Sequence, residues 1–420
     1  MEVREHVPNR THRPRRSAHR RRARPRRRGA RGALGAHRSL EQRLGGAGRA
    51  RRPASGAERA RPRLPGGFHR RGERFRDPAV SETTSAEFAL HETALRETAL
   101  LEKALFEVKR VVVGQDHALE RMVVALLARG HCLLEGVPGI AKTLAVRTLA
   151  TVSGGTFSRL QFTPDLVPGD IVGTRIWRPS TETFDVELGP VFATVVLADE
   201  INRAPAKVQS ALLEAMAERQ VTLGGKSHPL PSPFLVLATQ NPIESDGVYE
   251  LPEAQRDRFL LKIDMGYPSG VEELTILARM GVDPPVPTRV LDPDRVTALQ
   301  RAADRVFVHH ASAEYAVRLV LATRDPAGYG LPDVAAALQF GVSPRATLGL
   351  VAAARALALL RGRGYVLPGD ITDVAPDVLA HRLVLSYDAL ADGVPPRALV
   401  DRILAAVRAP RVTPAQDAAA

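Results

Sequence analysis

The sequence predicts an α/β fold: an αβα core around a parallel central sheet, followed by a small all-helical domain and preceded by a disordered, arginine-rich tail. Three observations carry this. The short apolar string His131-Cys132-Leu133-Leu134-Glu135 leads into a Gly/Pro loop, and residues 144–150 behind the loop are helix formers. Two more apolar runs, 193–198 and 234–239, end in polar residues, as buried strands do at the end where an α/β sheet places its ligand chemistry. From about 294 to 408, Ala, Leu, Val and Arg recur at helical spacing with few strand signals.

At 420 residues the chain exceeds one ordinary core, so two domains plus a tail are expected. Its net charge of +13 suggests a nucleic-acid partner until the charge is located. Residues 1–77 hold 25 Arg, no Lys and 6 acidic residues, a balance of +19, which leaves −6 on the other 343. The body is mildly acidic. Residues 1–80 have too few aliphatic and aromatic side chains to offset chain entropy, and they read as disordered. Such a tail could be a nucleic-acid arm, an organelle-targeting peptide, or solvated chain translated from an over-extended start. Cys132 is the single cysteine, which excludes an internal disulfide and a cysteine zinc site and reads as a small core residue. With no apolar run of 18 residues and no signal-sequence pattern, a cytoplasmic protein without a membrane span is the expectation.

In order along the chain, an amphipathic helix is expected over 85–108, from Phe88, Leu90, Leu95, Leu100, Leu101, Leu105 and Phe106. Val113-Gly114-Gln115 interrupts it, and a second helix follows from Asp116, a plausible N-cap, to about Arg129. Next comes Gly136-Val137-Pro138-Gly139-Ile140-Ala141-Lys142-Thr143, at a strand-to-helix turn. Backbone N–H groups of such a loop cradle phosphates, Lys142 can reach the β- and γ-phosphates, and Thr143 offers a hydroxyl to Mg²⁺. Ala141 stands where the last Gly of the P-loop pattern belongs, and a positive φ there would strain it.

Further on, 157–162 reads as a strand, 163–174 as a Pro/Asp/Gly segment and 184–188 as an exposed hairpin arm. The strand ending in Asp199-Glu200 follows 57 residues after Lys142; Asp199 can hold Mg²⁺ through water, while Glu200 can polarise an attacking water. A helix over 206–219 places Val208, Ala211, Leu212, Ala215 and Met216 in the core, and 220–226 looks like a second hairpin. Asn241, at the tip of the next strand and before Pro242, is placed to hold the attacking water. Arg256 and Arg258 near a short helix end are either surface ion-pair partners or a group acting in trans on a neighbour's phosphate. Residues 269–293, rich in Pro, read as a linker, and Ser343-Pro344-Arg345 puts Arg345 at a helix start.

The order of these parts resembles an AAA+ ATPase and, more narrowly, the MoxR family. The resemblance covers about 86–408 and rests on Val113-Gly114-Gln115, the loop 136–143, Gln161-Phe162-Thr163-Pro164-Asp165-Leu166, Asp199-Glu200-Ile201-Asn202-Arg203-Ala204-Pro205, Ala238-Thr239-Gln240-Asn241-Pro242, Leu251-Pro252-Glu253-Ala254-Gln255 and Ser343-Pro344-Arg345. The family also tolerates Ala before the Lys. It implies ATP and Mg²⁺ as cofactors, with Lys142 and Thr143 as Walker A, Asp199 and Glu200 as Walker B, Asn241 as sensor 1, Arg258 as arginine finger and Arg345 as sensor 2. Which of Arg256 and Arg258 reaches the neighbour stays open. Adenine would lie against 113–115, and insertions near 163–174 and 221–231 match the helix-2 and pre-sensor hairpins of that clade. The resemblance implies a core over 81–268, a linker over 269–293, a lid over 294–410, a frayed terminus over 411–420, and a hexameric ring acting as a chaperone on a protein client, with a von Willebrand factor A domain partner. A metal-chelatase motor subunit and a nucleic-acid-associated ATPase are the alternatives; the acidic body argues against the second.

Overall fold

A computed structural model describes residues 97–241, 248–249 and 251–411. The expected tail over 1–80, the helix positions Phe88, Leu90 and Leu95, Pro242 and residues 412–420 lie outside them. Five parallel strands form the central sheet, in the order β2-β5-β8-β1-β9. They are β1 (Cys132–Glu135), β2 (Phe157–Gln161), β5 (Val195–Asp199), β8 (Leu235–Gln240) and β9 (Leu261–Asp264).

The period of two in these strands sorts their side chains into two cores. Leu134, Val195, Leu197, Leu235 and Leu237 join one cluster, while Leu133, Val196, Ala198, Val236 and Ala238 join the other. Onto the first face pack α1 (97–111), α2 (Asp116–Leu127) and α3 (Lys142–Val152). The second face is covered by α4 (Pro168–Val172) and α5 (Ala206–Glu218), with Phe162 and Ile171. In α5, Val208, Leu212, Ala215 and Met216 are buried as expected, Leu213 joins them, and Ala211 is only half-buried. Asp116 is the first residue of α2 rather than its cap: Gln115 occupies the cap position, and its side chain donates to Gly266 O at 3.0 Å.

Two antiparallel hairpins leave this body. The first, β3 (Gly173–Arg178) with β4 (Thr183–Leu188), exposes Trp177 and Phe184 on one face, their rings 4.9 Å apart. The second is β6 (Gln220–Leu223) with β7 (Lys226–Pro229).

The segment read as a linker contains α7 (Gly270–Met280). Ser269 and Glu272 form a reciprocal capping box, with Ser269 N donating to Glu272 Oε2 at 2.7 Å. Prolines crowd both sides of this helix and mask it. Beyond it, Glu107 of α1 accepts from Thr288 N at 2.7 Å, so the chain toward the lid is tied down.

The lid comprises α8 (Pro293–Arg305), α9 (His310–Arg324), α10 (Pro332–Ala337), α11 (Pro344–Leu360), α12 (Pro368–Leu379), α13 (Tyr387–Ala391) and α14 (Pro396–Ala406). It is not wholly helical: β10 (Leu338–Phe340) pairs antiparallel with β11 (Val384–Leu385). Strands of three and two residues are too short to produce an alternating pattern, which is why the sequence hid them. Lid side chains from α8, α9, α11 and α12 share one apolar cluster with the first face of the sheet. At that contact Arg121 of α2, 1 % exposed, donates from Nε to Asp377 of α12, itself 0 % exposed, at 2.7 Å. Among the described residues no helix is long and apolar enough to cross a membrane.

Candidate nucleotide site

The loop 136–141 joins β1 to the N-terminus of α3. Gly136 has no alternative, because a Cβ there would come within 2.5 Å of Met265 O, the backbone leaving β9. Gly139 has φ +87°, and the space beside it is open. Ala141 is at φ 67°, ψ 23°, in the left-handed region where a Cβ is strained. Among the described residues the N–H groups of Val137, Gly139, Ile140 and Ala141 donate to no backbone carbonyl. Those free donors at the start of an 11-residue helix fit the phosphates of a nucleotide.

Lys142 folds back, with Nζ donating to Gly136 O at 2.6 Å. Desolvation lowers its pKa from the usual lysine value, opposed by the nearby charges of Asp199, Glu200 and Glu135. A carbonyl oxygen thus stands where a phosphate oxygen would bind. Lys142 and Thr143 begin α3, and both are half-buried.

Asp199 ends β5, and Glu200 follows at φ 56°, ψ 48°, a left-handed conformation at the C-terminal end of an interior strand. Thr239 of β8 joins the two acids: its hydroxyl donates to Asp199 Oδ1 at 2.5 Å and accepts from Glu200 N at 2.8 Å. Arg159 Nη2 meets Asp199 Oδ2 at 2.7 Å, while Gln161 Nε2 and Arg203 Nε meet Glu200 Oε2 at 2.9 and 2.8 Å. Sequence reasoning assigned no role to Thr239, Arg159, Gln161 or Arg203. Gln161, Arg203 and Thr239 lie inside the strings that carry the family resemblance and Arg159 two residues before one of them, but their partners follow only from the β2-β5-β8 pairing. Asn241 is buried one residue beyond β8, and with Gln240 and Glu135 it lines a cavity of about 500 Å³ that also takes in Arg256. Val113, Gly114 and Gln115 follow α1, and Val113 and Gly114 border a second cavity of about 430 Å³ closed by Glu272 and Arg279 of α7. No group of three or more His, Cys, Asp or Glu side chains suited to a metal occurs among the described residues. Thr143 at the start of α3 and Asp199 at the end of β5 carry oxygens of the kind Mg²⁺ takes.

Arg258 and Arg345 do not join this group. Leu260 N donates to His131 O at 2.8 Å, and Leu261 pairs with Cys132, so residues 257–260 lie at the N-terminal end of the parallel strands. The phosphate loop leaves the C-terminal end, four residues and about 13 Å of strand away. Arg258 Nη1 donates to Leu213 O at 2.6 Å, and Arg345 meets Asp257 Oδ2 at 3.4 Å. Arg256 instead lines the cavity shared with Asn241, so the two arginines of the 256–258 stretch serve opposite ends of the sheet.

A loop of free amides with a following lysine, a strand ending in paired acids, and a helical lid define a P-loop ATPase core. Family models agree: residues 131–261 match the ATPase family associated with various cellular activities, and 332–403 match the AAA lid domain. The chain is 63 % identical over 307 residues to Chaperone MoxR1 of Mycobacterium tuberculosis, covering 73 % of this chain and 81 % of that protein. It is 36 % identical to Protein MoxR of Methylorubrum extorquens, over 66 % of this chain and 86 % of that one. A crystal structure at 2.00 Å of an ATPase candidate from Cytophaga hutchinsonii superposes with a TM-score of 0.73 at 44 % identity, covering 79 % of this chain and 99 % of the other. The chain belongs to the MoxR family of AAA+ ATPases.

Proposed function

We propose that this chain is a Mg²⁺-dependent ATP hydrolase that works as a homo-oligomer, a hexameric ring, and remodels or matures a protein client. The observation that carries the reading is the division of its charged groups. Lys142, Thr143, Asp199, Glu200 and Asn241 surround one end of the sheet, and Arg258 sits at the other.

Loop amides and Lys142 bind the phosphates, and 113–115 receives the adenine. Thr143, and Asp199 largely through water, would hold Mg²⁺, which would supply neutralisation of the phosphate charge; Asp199 is paired with Arg159 at 2.7 Å. Glu200, fixed through its own N–H by Thr239, orients the attacking water and takes its proton, with Asn241 holding that water. Arg258 from a neighbouring copy stabilises the charge that develops on the transferred phosphoryl group. Because a nearby relative carries the name chaperone, and two hairpins stand out from the core, the client is taken to be a protein, met in the cytoplasm and with a von Willebrand factor A domain protein as partner.

Purified chain should hydrolyse ATP only with Mg²⁺. Glu200→Gln should bind ATP without turning it over, by a factor of about 10² or more for loss of a positioned base. Arg258→Ala should bind ATP and be equally silent. Normal turnover by Glu200→Gln would show that the base has been misassigned.

A further inference from the structure

Three carboxylates act on Lys142: Asp199, Glu200 and Glu135. Each meets one cation: Asp199 meets Arg159 at 2.7 Å, Glu200 meets Arg203 at 2.8 Å, and Glu135 Oε2 meets Lys262 Nζ at 2.6 Å. The first two acids have work in the hydrolysis proposed above, on Mg²⁺ and on the attacking water. Glu135 has none, yet it is the last residue of the strand that feeds the phosphate loop. An unpaired carboxylate there would repel a triphosphate.

Lys262 is placed as unusually as its partner. β9 reads Leu261-Lys262-Ile263-Asp264, and as an edge strand it pairs with β1 alone, Leu133 opposite Lys262 and Glu135 opposite Asp264. Leu133 belongs to the second core, so the alternation puts Lys262 on an apolar face, with 27 % of its side chain exposed. A lysine so placed needs a partner. Of the two carboxylates in reach, Asp264 is the farther at 3.8 Å, and its side chain is 58 % exposed against 29 % for Glu135. The longer, better-solvated pair is the weaker, so Lys262 is spent chiefly on Glu135. Backbone contacts press the same two strands together at the root of the loop: Met265 N donates to Glu135 O at 2.8 Å, and Gly136 has no room for a Cβ beside Met265 O. β9 therefore holds the loop by its main chain and, through Lys262, by charge.

We propose that Lys262 is a positioning residue for the nucleotide: it holds the Glu135 carboxylate on β9 and cancels its charge, so that the loop amides and Lys142 meet the phosphates without an opposing charge behind them. This rests on the ATPase reading above. The repulsion that Lys262 prevents is Coulombic, so its effect grows with the charge of the phosphate chain.

Equilibrium binding of ATP and ADP to the full chain without Mg²⁺, where no turnover competes, tests this. Lys262→Met keeps much of the side chain's length and loses its charge; ATP affinity should fall about tenfold, and ADP affinity less. Lys262→Arg should retain most of the ATP affinity, and adding Glu135→Gln to Lys262→Met should restore it to within about threefold of wild type. An unchanged ATP affinity in Lys262→Met, a double variant as weak as Lys262→Met, or equal losses for ATP and ADP would overturn the assignment, since a packing role is blind to phosphate charge. Should Lys262→Met fail to fold, Glu135→Gln alone decides: with Lys262 released, ATP binding should tighten, and an unchanged or weaker affinity contradicts the proposal. A wild type that binds no ATP overturns the ATPase reading as well; a wild type that binds it while these variants change nothing overturns the role of Lys262 alone.

Discussion

Two residues at the candidate site hold left-handed backbone without being glycine. Ala141, at φ 67°, occupies the position where a P-loop ordinarily has Gly, and the doubt it raised in the sequence has a physical answer: the strained conformation is adopted and the chain bears it. Ala141→Gly should therefore raise stability by about 1 kcal/mol, read as a higher denaturant midpoint with unchanged slope. A lower midpoint would mean that the Ala methyl makes contacts worth more than the strain. Glu200, at φ 56°, is held by a bond from its N–H to the Thr239 hydroxyl. Thr239→Val keeps the volume but leaves that N–H and Asp199 without their shared partner, a loss of about 1–3 kcal/mol. If that loss falls on the placement of Glu200, turnover should fall roughly ten- to a hundredfold. Thr239→Ser should retain most of it. The acids were legible in the sequence because an apolar run ends in them. Thr239 was not, because its role exists only once β5 and β8 are neighbours.

Elements were readable where their period was long and their ends were marked. The core strands and α5 emerged from the sequence for that reason, whereas α7 disappeared among prolines despite its Ser-x-x-Glu cap, and β10 and β11 were too short to alternate. At the start of β1, His131 ties three elements together: Nδ1 accepts from Val236 N of β8 at 3.0 Å, and Nε2 lies 3.4 Å from Met216 O of α5. Burial, aided by the charge of Arg219, pushes its pKa from 6.5 down to about 4. Above pH 6.5 the ring is neutral in both folded and unfolded chains, and its contribution is complete. As pH falls from 6.5 to 4 the unfolded chain takes up a proton that the folded ring refuses, so stability drops by about 3 kcal/mol across that window. His381, buried with its pKa also well below the usual value, adds to the same slope. Denaturant midpoints measured from pH 7 to pH 4 should fall, and His131→Gln should flatten the fall. An unchanged slope in that variant would place the proton uptake elsewhere.

At the scale of the whole molecule, core and lid are joined by a charged contact as well as by a continuous apolar core. Asp377 is fully buried and accepts from Arg121 of α2 at 2.7 Å, His117 at 3.2 Å and Arg397 of α14 at 3.2 Å. Removing it leaves Arg121 paired only with Glu120 at 2.5 Å and Asp373 at 2.7 Å and its Nε unsatisfied, so Asp377→Ala should cost about 1–3 kcal/mol, checked by chemical unfolding; an unchanged unfolding midpoint would show that the Asp377 contact does not tie the lid to α2. The lid's place against α2 and β9 carries Arg345 to the end of the sheet that bears Arg258. No local pattern could have announced that grouping, because it depends on the register of β9 against β1 and on where α11 docks. The fold puts the loop at one end of the sheet and Arg258 and Arg345 at the other, the separation that the expectation of a site completed by a neighbour requires. The most direct test follows ATP turnover per subunit across protein concentrations, with sedimentation run at the same points. Turnover should be negligible wherever the chain sediments as a monomer and should rise in step with the assembled fraction. A monomeric chain that hydrolyses ATP at the full per-subunit rate would contradict the shared site.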